Sequence, residues 1–490
     1  MNQAARVESG RVNVLCVASE MAPFAKTGGL ADVMAALPRH LVRAGHDVRV
    51  FLPLYDTARV AAASLEAVLD GFEVRLGPHF YPIKILRPGG DPVVHFVHCP
   101  VLYGRGALYT NDDDEHRRFL ALCWAALMAC QRMAFAPDVI HGNDWQTGLL
   151  PLTLKTRFAW DRLFARARTL LTIHNLNYQG IFPASIVPDT NMADSAHLFH
   201  QDQLKDGRVN SLLHGILYAD GISTVSPTYS HEIQTAEHGA GLDPFLRARS
   251  STVIGILNGV DYDEWSPEAD RHIPHHYSAA DLAGKELDKQ ELLTRMGLPY
   301  QKGIPLLGIV SRLAGQKGFE LCAEVLPGLL RRHGFQLIVL GSGETRLEQI
   351  FSDLQRAFPR QVCFYRGFLE PLAHFIEAGA DMFLMPSRYE PCGLNQMYSL
   401  RYGTVPVVHR TGGLADTVKT WSPATGSGNG FAFEHHDAAG LTWGIEAALA
   451  TYRDRAAWAR LQQNGMAEDF SWGAQARLYE IVYQRLGAAA

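Results

Sequence analysis

The segment Ser387-Arg388-Tyr389-Glu390-Pro391-Cys392-Gly393-Leu394 sets one carboxylate just ahead of a Cys-Gly pair, a pattern expected where a helix opens after a strand. A helix start offers unpaired backbone N–H groups and the positive end of the helix dipole, so it attracts phosphate or carboxylate. Glu390 beside such an anion site points to chemistry on a phosphorylated sugar; the alternative is a strand-to-helix turn whose Glu is only solvated. Two other loops carry cations. Lys26 precedes the pair Gly28-Gly29, which lets backbone approach a ligand closely, and a helix is expected to follow. In Ser311-Arg312-Leu313-Ala314-Gly315-Gln316-Lys317-Gly318, Arg312 and Lys317 stand five residues apart. Fixed Arg and Lys donors stabilise the charge that grows on a pyrophosphate as its bond to sugar breaks, more than they stabilise the ground state.

A third turn, Arg410-Thr411-Gly412-Gly413-Leu414-Ala415-Asp416, echoes Thr27-Gly28-Gly29-Leu30-Ala31-Asp32. His141-Gly142-Asn143-Asp144-Trp145 and Thr172-Ile173-His174-Asn175 end apolar runs and supply hydrogen-bonding groups suited to sugar hydroxyls, although a single such His is more often structural.

These loops need strands and helices to hold them. Short β-rich runs recur at 12–18, 47–52, 93–97, 138–141, 169–173, 221–225 and 253–257, with helical periodicity at 31–44 and 119–133 between them. Alternating strands and helices build a parallel, doubly wound sheet. A polar stretch, 261–300, breaks the pattern and holds one expected helix near 285–296. A second series follows at 305–311, 336–341, 361–365, 381–385, 405–408 and 430–433, giving a second doubly wound domain. Ligands in such sheets bind beyond the carboxyl ends of the strands, where these motifs lie. Residues 422–430 read as a surface loop.

At 490 residues the chain exceeds one compact core, and 47% hydrophobic with 19% charged residues is ordinary for a globular enzyme. A formal charge of -5 without any Lys/Arg block indicates neither nucleic acid nor a membrane surface as partner. Seven scattered cysteines form no disulfide framework and fit a reducing cytoplasm. Residues 1–10 lack the apolar core of a signal peptide, and no later run reaches the roughly 20 apolar residues of a bilayer span. His272, His275 and His276, like His435 and His436, offer no helical ligand pair with carboxylate support, so no metal is expected. Neither a GxGxxG nor a Walker loop is present, which argues against a nicotinamide oxidoreductase.

Taken together, Lys26-Thr27-Gly28-Gly29-Leu30-Ala31-Asp32-Val33, Asn143-Asp144-Trp145, Thr172-Ile173-His174-Asn175-Leu176, Asn258-Gly259-Val260-Asp261, Ser311-Arg312-Leu313 with Gln316-Lys317-Gly318, and Pro386-Ser387 through Gly393-Leu394 closely resemble the bacterial glycogen synthase and plant starch synthase family. The resemblance implies an α/β GT-B fold: two Rossmann-like doubly wound domains facing across a deep cleft. Residues 1–258 form the N-terminal domain on the glucan acceptor side, with part of the donor site. Residues 259–471 form the nucleotide-sugar domain, and 472–490 a C-terminal helix returning to the first. The implied reaction transfers glucose from ADP-glucose to the nonreducing 4-hydroxyl of an α-1,4-glucan with retention, without cofactor or metal. Glu390, Lys317, Arg312, His174 and Lys26 are the implied catalytic residues. Lys26, Gly28, Gly29, Asp144, Asn175, Asn258, Arg312, Lys317, Phe368, Cys392, Gly393, Leu394, Thr411 and Gly412 are the implied donor contacts. In this reading Asp144 and His174, with Asn175 and Asn258 nearby, hold the sugar, and the Thr411 turn holds the distal phosphate. Front-side attack and double displacement both stay open.

Three departures from the family pattern stand out. Phe368 replaces the usual Tyr at the donor base, keeping a stacking face without the hydroxyl. The run Asp112-Asp113-Asp114-Glu115 replaces a more usual Asp-Asn and reads as a solvated loop. Tyr398 stands where related retaining transferases carry a second Glu. A UDP-glucose-dependent transferase and a silent glucan-binding homologue are the alternatives. Cys392 beside the donor glucose predicts inactivation by bulky thiol reagents, with protection by ADP-glucose. Oligomeric state is not legible.

Overall fold

Val14, Leu15, Cys16 and Val17 are all fully buried, as a strand covered on both faces requires, and they form the middle of the first sheet. The computed structural model describes residues 10–58 and 64–488. The expectation about residues 1–10 therefore lies, Gly10 apart, outside the described residues.

Contacts divide the chain into two compact units. The first comprises Met1–Val225, Ser230–Ile256 and Trp472–Ala490; the second comprises Ser226–Tyr229 and Leu257–Ser471. In the first, nine strands run in the order Val253–Gly255, Gly221–Thr224, Arg168–Ile173, Val139–Asn143, Asn13–Val17, Asp47–Pro53, Val94–His98, His79–Pro88, Leu65–Leu76. The first seven pair in parallel, and the last two form an antiparallel hairpin at one edge. Its alternating burial is the mark of a sheet with one wet face, and Gly77 at φ 56 makes the turn. The alternation of strands and helices gave no sign of this hairpin.

Helix Trp472–Ala488 closes the first unit. Trp472, Ala476, Tyr479 and Tyr483 pack in one core with Leu37, Leu41 and Val139, and the Tyr483 hydroxyl lies 2.9 Å from His141 Nδ1. His141 is thereby a structural residue.

The second unit is a six-stranded, fully parallel sheet ordered Val362–Arg366, Gln336–Gly343, Leu306–Leu313, Met382–Met385, Val405–His409, Phe431–Phe433. Helix Ala283–Arg295, from the polar stretch, lies against helix Glu370–Gly379 and carries two buried lysines. Lys289 pairs with Asp381 at 2.7 Å. Lys285 donates to Thr404 Oγ1 at 2.6 Å and to the carbonyl of Ala378 at 2.8 Å. Beside Lys285, the buried carboxyl of Glu377 bonds Ser399 Oγ at 2.6 Å. The 422–430 loop folds back on itself through a 2.9 Å bond from Ser422 N to Ser427 O. Among the described residues, no helix is long and apolar enough to cross a membrane.

Candidate active site

In the second unit every motif loop leaves the carboxyl end of a strand. Strand Leu306–Leu313 runs into the turn Gly315–Lys317, and strand Met382–Met385 into the Glu390 segment. Two links strap these loops together, one backbone and one from a side chain: Arg388 N donates to Gln316 O at 2.9 Å, and Gln316 Nε2 to Tyr389 O at 3.3 Å. Lys317 Nζ consequently reaches Glu390 Oε2 at 2.6 Å, and Ser387 Oγ donates to the same oxygen at 3.0 Å. Glu390 is 5% exposed, so its charge is balanced from within the protein. Arg312 stands exposed on the strand that leads into the turn.

Helix Asn395–Arg401 starts two residues after Gly393, not at the Cys-Gly pair. Gly393 has φ 73, in the left-handed region, and a right-handed helix begins only beyond it. Leu394 is the residue before the first turn. Gln396 Nε2 staples the approach, donating to the carbonyls of Cys392 at 3.1 Å and Gly393 at 3.0 Å.

The Thr411 turn packs against this segment with no side chain between. Gly413 N donates to Glu390 O at 3.1 Å; a Cβ on Gly412 would come within 1.9 Å of that oxygen, and one on Gly413 within 2.1 Å of Cys392 O. These glycines join two loops, and the Gly413 amide is already committed. Two histidines hold the opposite side: His409 Nδ1 donates to Ser387 O at 2.7 Å and His436 Nε2 to Pro386 O at 2.8 Å. Phe368 is 73% exposed in the loop after strand Val362–Arg366, an open apolar face.

Cys392 is 4% exposed, and burial pushes its thiol up to about 12. Asn258 falls in the second unit with the Cys392 loop, and its backbone N–H counters the rise of that thiol. The expected reactivity of Cys392 is corrected accordingly, since a buried neutral thiol is a poor nucleophile.

In the first unit the Gly28-Gly29 loop opens helix Gly29–Arg43. It folds around an anion of its own. Glu20 accepts from Thr27 N at 2.5 Å, Thr27 Oγ1 at 2.6 Å, Gly28 N at 3.3 Å and the Tyr109 hydroxyl at 2.5 Å. Lys26 is bonded to Asp32 at 2.6 Å while half its side chain stays exposed.

Asp144 holds φ 54, an uncommon conformation for a residue with a side chain, and its carboxylate accepts from His174 N at 2.7 Å and Asn175 N at 3.4 Å. The strain fastens the loop after strand Val139–Asn143 to the one after Arg168–Ile173. Burial raises the Asp144 carboxyl to about 7 and lowers His174 to about 3, so the imidazole is neutral at physiological pH. Asn143 Nδ2 donates to Val17 O at 3.1 Å, which turns Oδ1 toward His174 Nε2 at 2.9 Å. The proton therefore sits on Nε2, and the buried Nδ1, without a partner, is a bare acceptor. Asn258 Oδ1 and Gln396 Oε1 in the second unit are likewise buried and unpartnered.

Beside these loops in the first unit lies an open groove of about 920 Å³, lined among others by Trp145, Asn177, Tyr178, Phe182, His116 and Asp189. The acidic run is part of it. Arg105 pairs with Asp112 and Asp114, and Glu115 is buried against Arg118 at 2.9 Å, so the run is anchored at its end while Asp112 and Asp113 stay exposed to solvent.

Sequence reasoning missed Glu20, Tyr109, Gln396, His409 and His436. Ser387 and Gln396 flank Glu390 within the quoted motif or just after it, and that adjacency was the available signal. The histidines are joined to the segment only by folding.

Residues 13–248 match the family described as Starch synthase catalytic domain, and residues 296–464 the family Glycosyl transferases group 1. The chain is 46% identical over 484 residues to the glycogen synthase of Myxococcus xanthus, covering 97% of this chain and 100% of that one. It is 43% identical over 479 residues to the glycogen synthase of Koribacter versatilis, covering 97% and 98%. The chain belongs to the glycogen synthase and starch synthase family. Among solved structures, the catalytic domain of starch synthase IV from Arabidopsis thaliana, bound to ADP and acarbose, superimposes with TM-score 0.89 at 35% identity, covering 98% of this chain and 100% of that one. Glycogen synthase family membership gives the two parallel α/β units their class, GT-B, and makes the chain a glucosyltransferase.

Proposed function

We propose that the protein extends an α-1,4-glucan by transferring glucose from ADP-glucose to a nonreducing 4-hydroxyl with retention, in glycogen biosynthesis. The observation that carries the site assignment is the part-buried Lys317–Glu390 pair, held by Ser387 and framed by loops that all leave strand ends. Lys317 and Arg312 take the donor diphosphate in the second unit, and Lys26 with Gly28 and Gly29 are the first unit's phosphate contacts. Phe368 stacks on the base, and Thr411 and Gly412 border the distal phosphate. Glu390, beside Cys392, Gly393 and Leu394, orients the glucose hydroxyls and offsets positive charge at the anomeric carbon.

A carboxylate oxygen already bonded to an ammonium and a hydroxyl is a weak nucleophile, which favours front-side attack. In that route the bond from the anomeric carbon to the phosphate oxygen breaks as the acceptor oxygen bonds the same face. The departing phosphate receives the hydroxyl proton, and Lys317 and Arg312 stabilise its charge. His174 Nδ1, Asp144, Asn175, Asn258 Oδ1 and Gln396 Oε1 are acceptors or amides that sugar hydroxyls satisfy. The 920 Å³ groove, with Trp145 and Tyr178 as sugar-stacking faces, is assigned to the glucan. Seven unpaired cysteines favour a cytoplasmic setting.

Glucose incorporation into glycogen by purified protein, from ADP-glucose and UDP-glucose side by side, tests the reading. Faster transfer from ADP-glucose is expected. Preference for UDP-glucose removes the donor assignment, and no incorporation from either removes the activity.

A further inference from the structure

Helix Glu370–Gly379 carries Glu370 and His374 at i, i+4, so both side chains leave one face, and Glu264 approaches from the turn that follows Asp261. The ligand atoms of these three residues all lie within 4.8 Å of one another. His374 is fully buried, and its Nε2 has no hydrogen-bond partner. Its Nδ1 stands 2.8 Å from Asp270 Oδ2, while Asp270 Oδ1 accepts from His272 N at 2.8 Å. A carboxylate on Nδ1 keeps the proton there and leaves the lone pair on Nε2, the arrangement that orients and strengthens a metal-bound imidazole. Trp265 locks the ring by stacking on it, with centroids 3.6 Å apart and planes 15° apart. A buried nitrogen lone pair without a donor, held rigid beside two carboxylates, is an unmet acceptor that a cation satisfies.

We propose that Glu264, Glu370 and His374 bind a first-row divalent transition cation such as Zn2+, with Asp270 as the positioning residue behind His374. One imidazole and two carboxylates are a ligand set for Zn2+, with open positions left to water, whereas Mg2+ favours oxygens alone. Metal–ligand bonds of about 2.0–2.2 Å in a tetrahedral site set neighbouring ligands roughly 3.4 Å apart, so rotations of the two exposed glutamates are what close the site. None of the three is among the proposed donor contacts, although Glu370 follows Phe368 by two residues, so the cation is assigned a structural role. Its effect is on stiffness: Trp265 also stacks on Tyr398 at 3.8 Å and 4°, and Tyr398 lies on the helix that follows the Glu390 segment.

Calorimetric titration of Zn2+ into chelator-treated full-length protein, with Co2+ followed by absorption, tests the site. One Zn2+ per chain is expected, with a raised Tm and a cobalt spectrum free of thiolate charge transfer. Glu370→Gln and Glu264→Gln, both at exposed positions, each weaken binding at least tenfold while the metal-free Tm holds. No uptake, unchanged affinity in either variant, or a thiolate band overturns the proposal.

Discussion

Lys317 Nζ stands 2.6 Å from Glu390 Oε2, which makes one ion pair of two residues whose sequence roles were separate, one for phosphate and one for sugar. Their side chains are 19% and 7% exposed, so removing Lys317 leaves the buried Glu390 without its cation, whereas Lys317 keeps some access to water.

Lys317→Ala is therefore expected to lower turnover by ~10²-fold or more while glucan affinity holds, because the leaving group loses its fixed cation. It also loses stability, which the double variant Lys317→Ala/Glu390→Gln recovers in a urea titration without recovering turnover. Recovery of turnover in the double variant contradicts a role for Lys317 at the leaving group.

Gly413→Ala and Gly28→Ala separate a structural glycine from a ligand-facing one. A Cβ at Gly413 meets the Cys392 carbonyl at 2.1 Å, backbone against backbone, and a loss of about 2 kcal/mol or more is expected. Gly28 has no heavy atom within 4 Å of a Cβ and an ordinary extended φ of -156. Its variant keeps Tm and changes only the KM for ADP-glucose. Calorimetry and steady-state kinetics on both proteins check the contrast.

Cys392 follows from burial. With its thiol pushed up to about 12, alkylation by iodoacetamide at pH 7.5 proceeds no faster than in denaturation-limited controls. Peptide mapping of Cys392 after brief exposure is the measurement, and rapid labelling there refutes the buried geometry.

Glu377 gives a pH dependence. Burial raises its carboxyl from 4.5 to about 8, against the lowering effects of Ser399 and Lys285, so the folded protein holds a proton that the unfolded chain has lost. Stability is therefore greatest below pH 4.5 from this group and falls as pH rises through the window to about 8. Lys285, lowered to about 7 by burial, adds the opposite slope above pH 7. Glu377→Gln mimics the protonated acid and removes the decline, so its urea midpoint gains on the wild type steadily from pH 5 to 8. Parallel curves contradict the shift.

The parallel strands were legible because most are short apolar runs buried on both faces, and the observed spans differ from the expected ones by a residue or two. The hairpin Leu65–Leu76 with His79–Pro88 was not, because half of its residues face water and the run reads as polar. At the site the motif loops were visible as residue types, but their partners were not. Glu20 reaches seven residues forward to Thr27 and 89 to Tyr109, and His436 reaches back 50 to Pro386. Such distances leave no local periodicity to read. That Gly412 and Gly413 are also required by the Glu390–Cys392 loop was not legible, since a glycine required by a neighbouring loop has the same letter as one required by a phosphate.

The Thr27 and Gly28 amides are already saturated by Glu20, and Lys26 already carries Asp32. On the proposed reading, an arriving donor phosphate would enter an occupied ion exchanger, the ammonium trading one anion for another with little change in the loop's hydrogen bonds. Such a swap yields modest affinity, and once the glucose has gone Asp32 is at hand to reclaim the ammonium. If the loop takes the donor phosphates as proposed, these contacts favour release of the spent nucleotide as much as its capture.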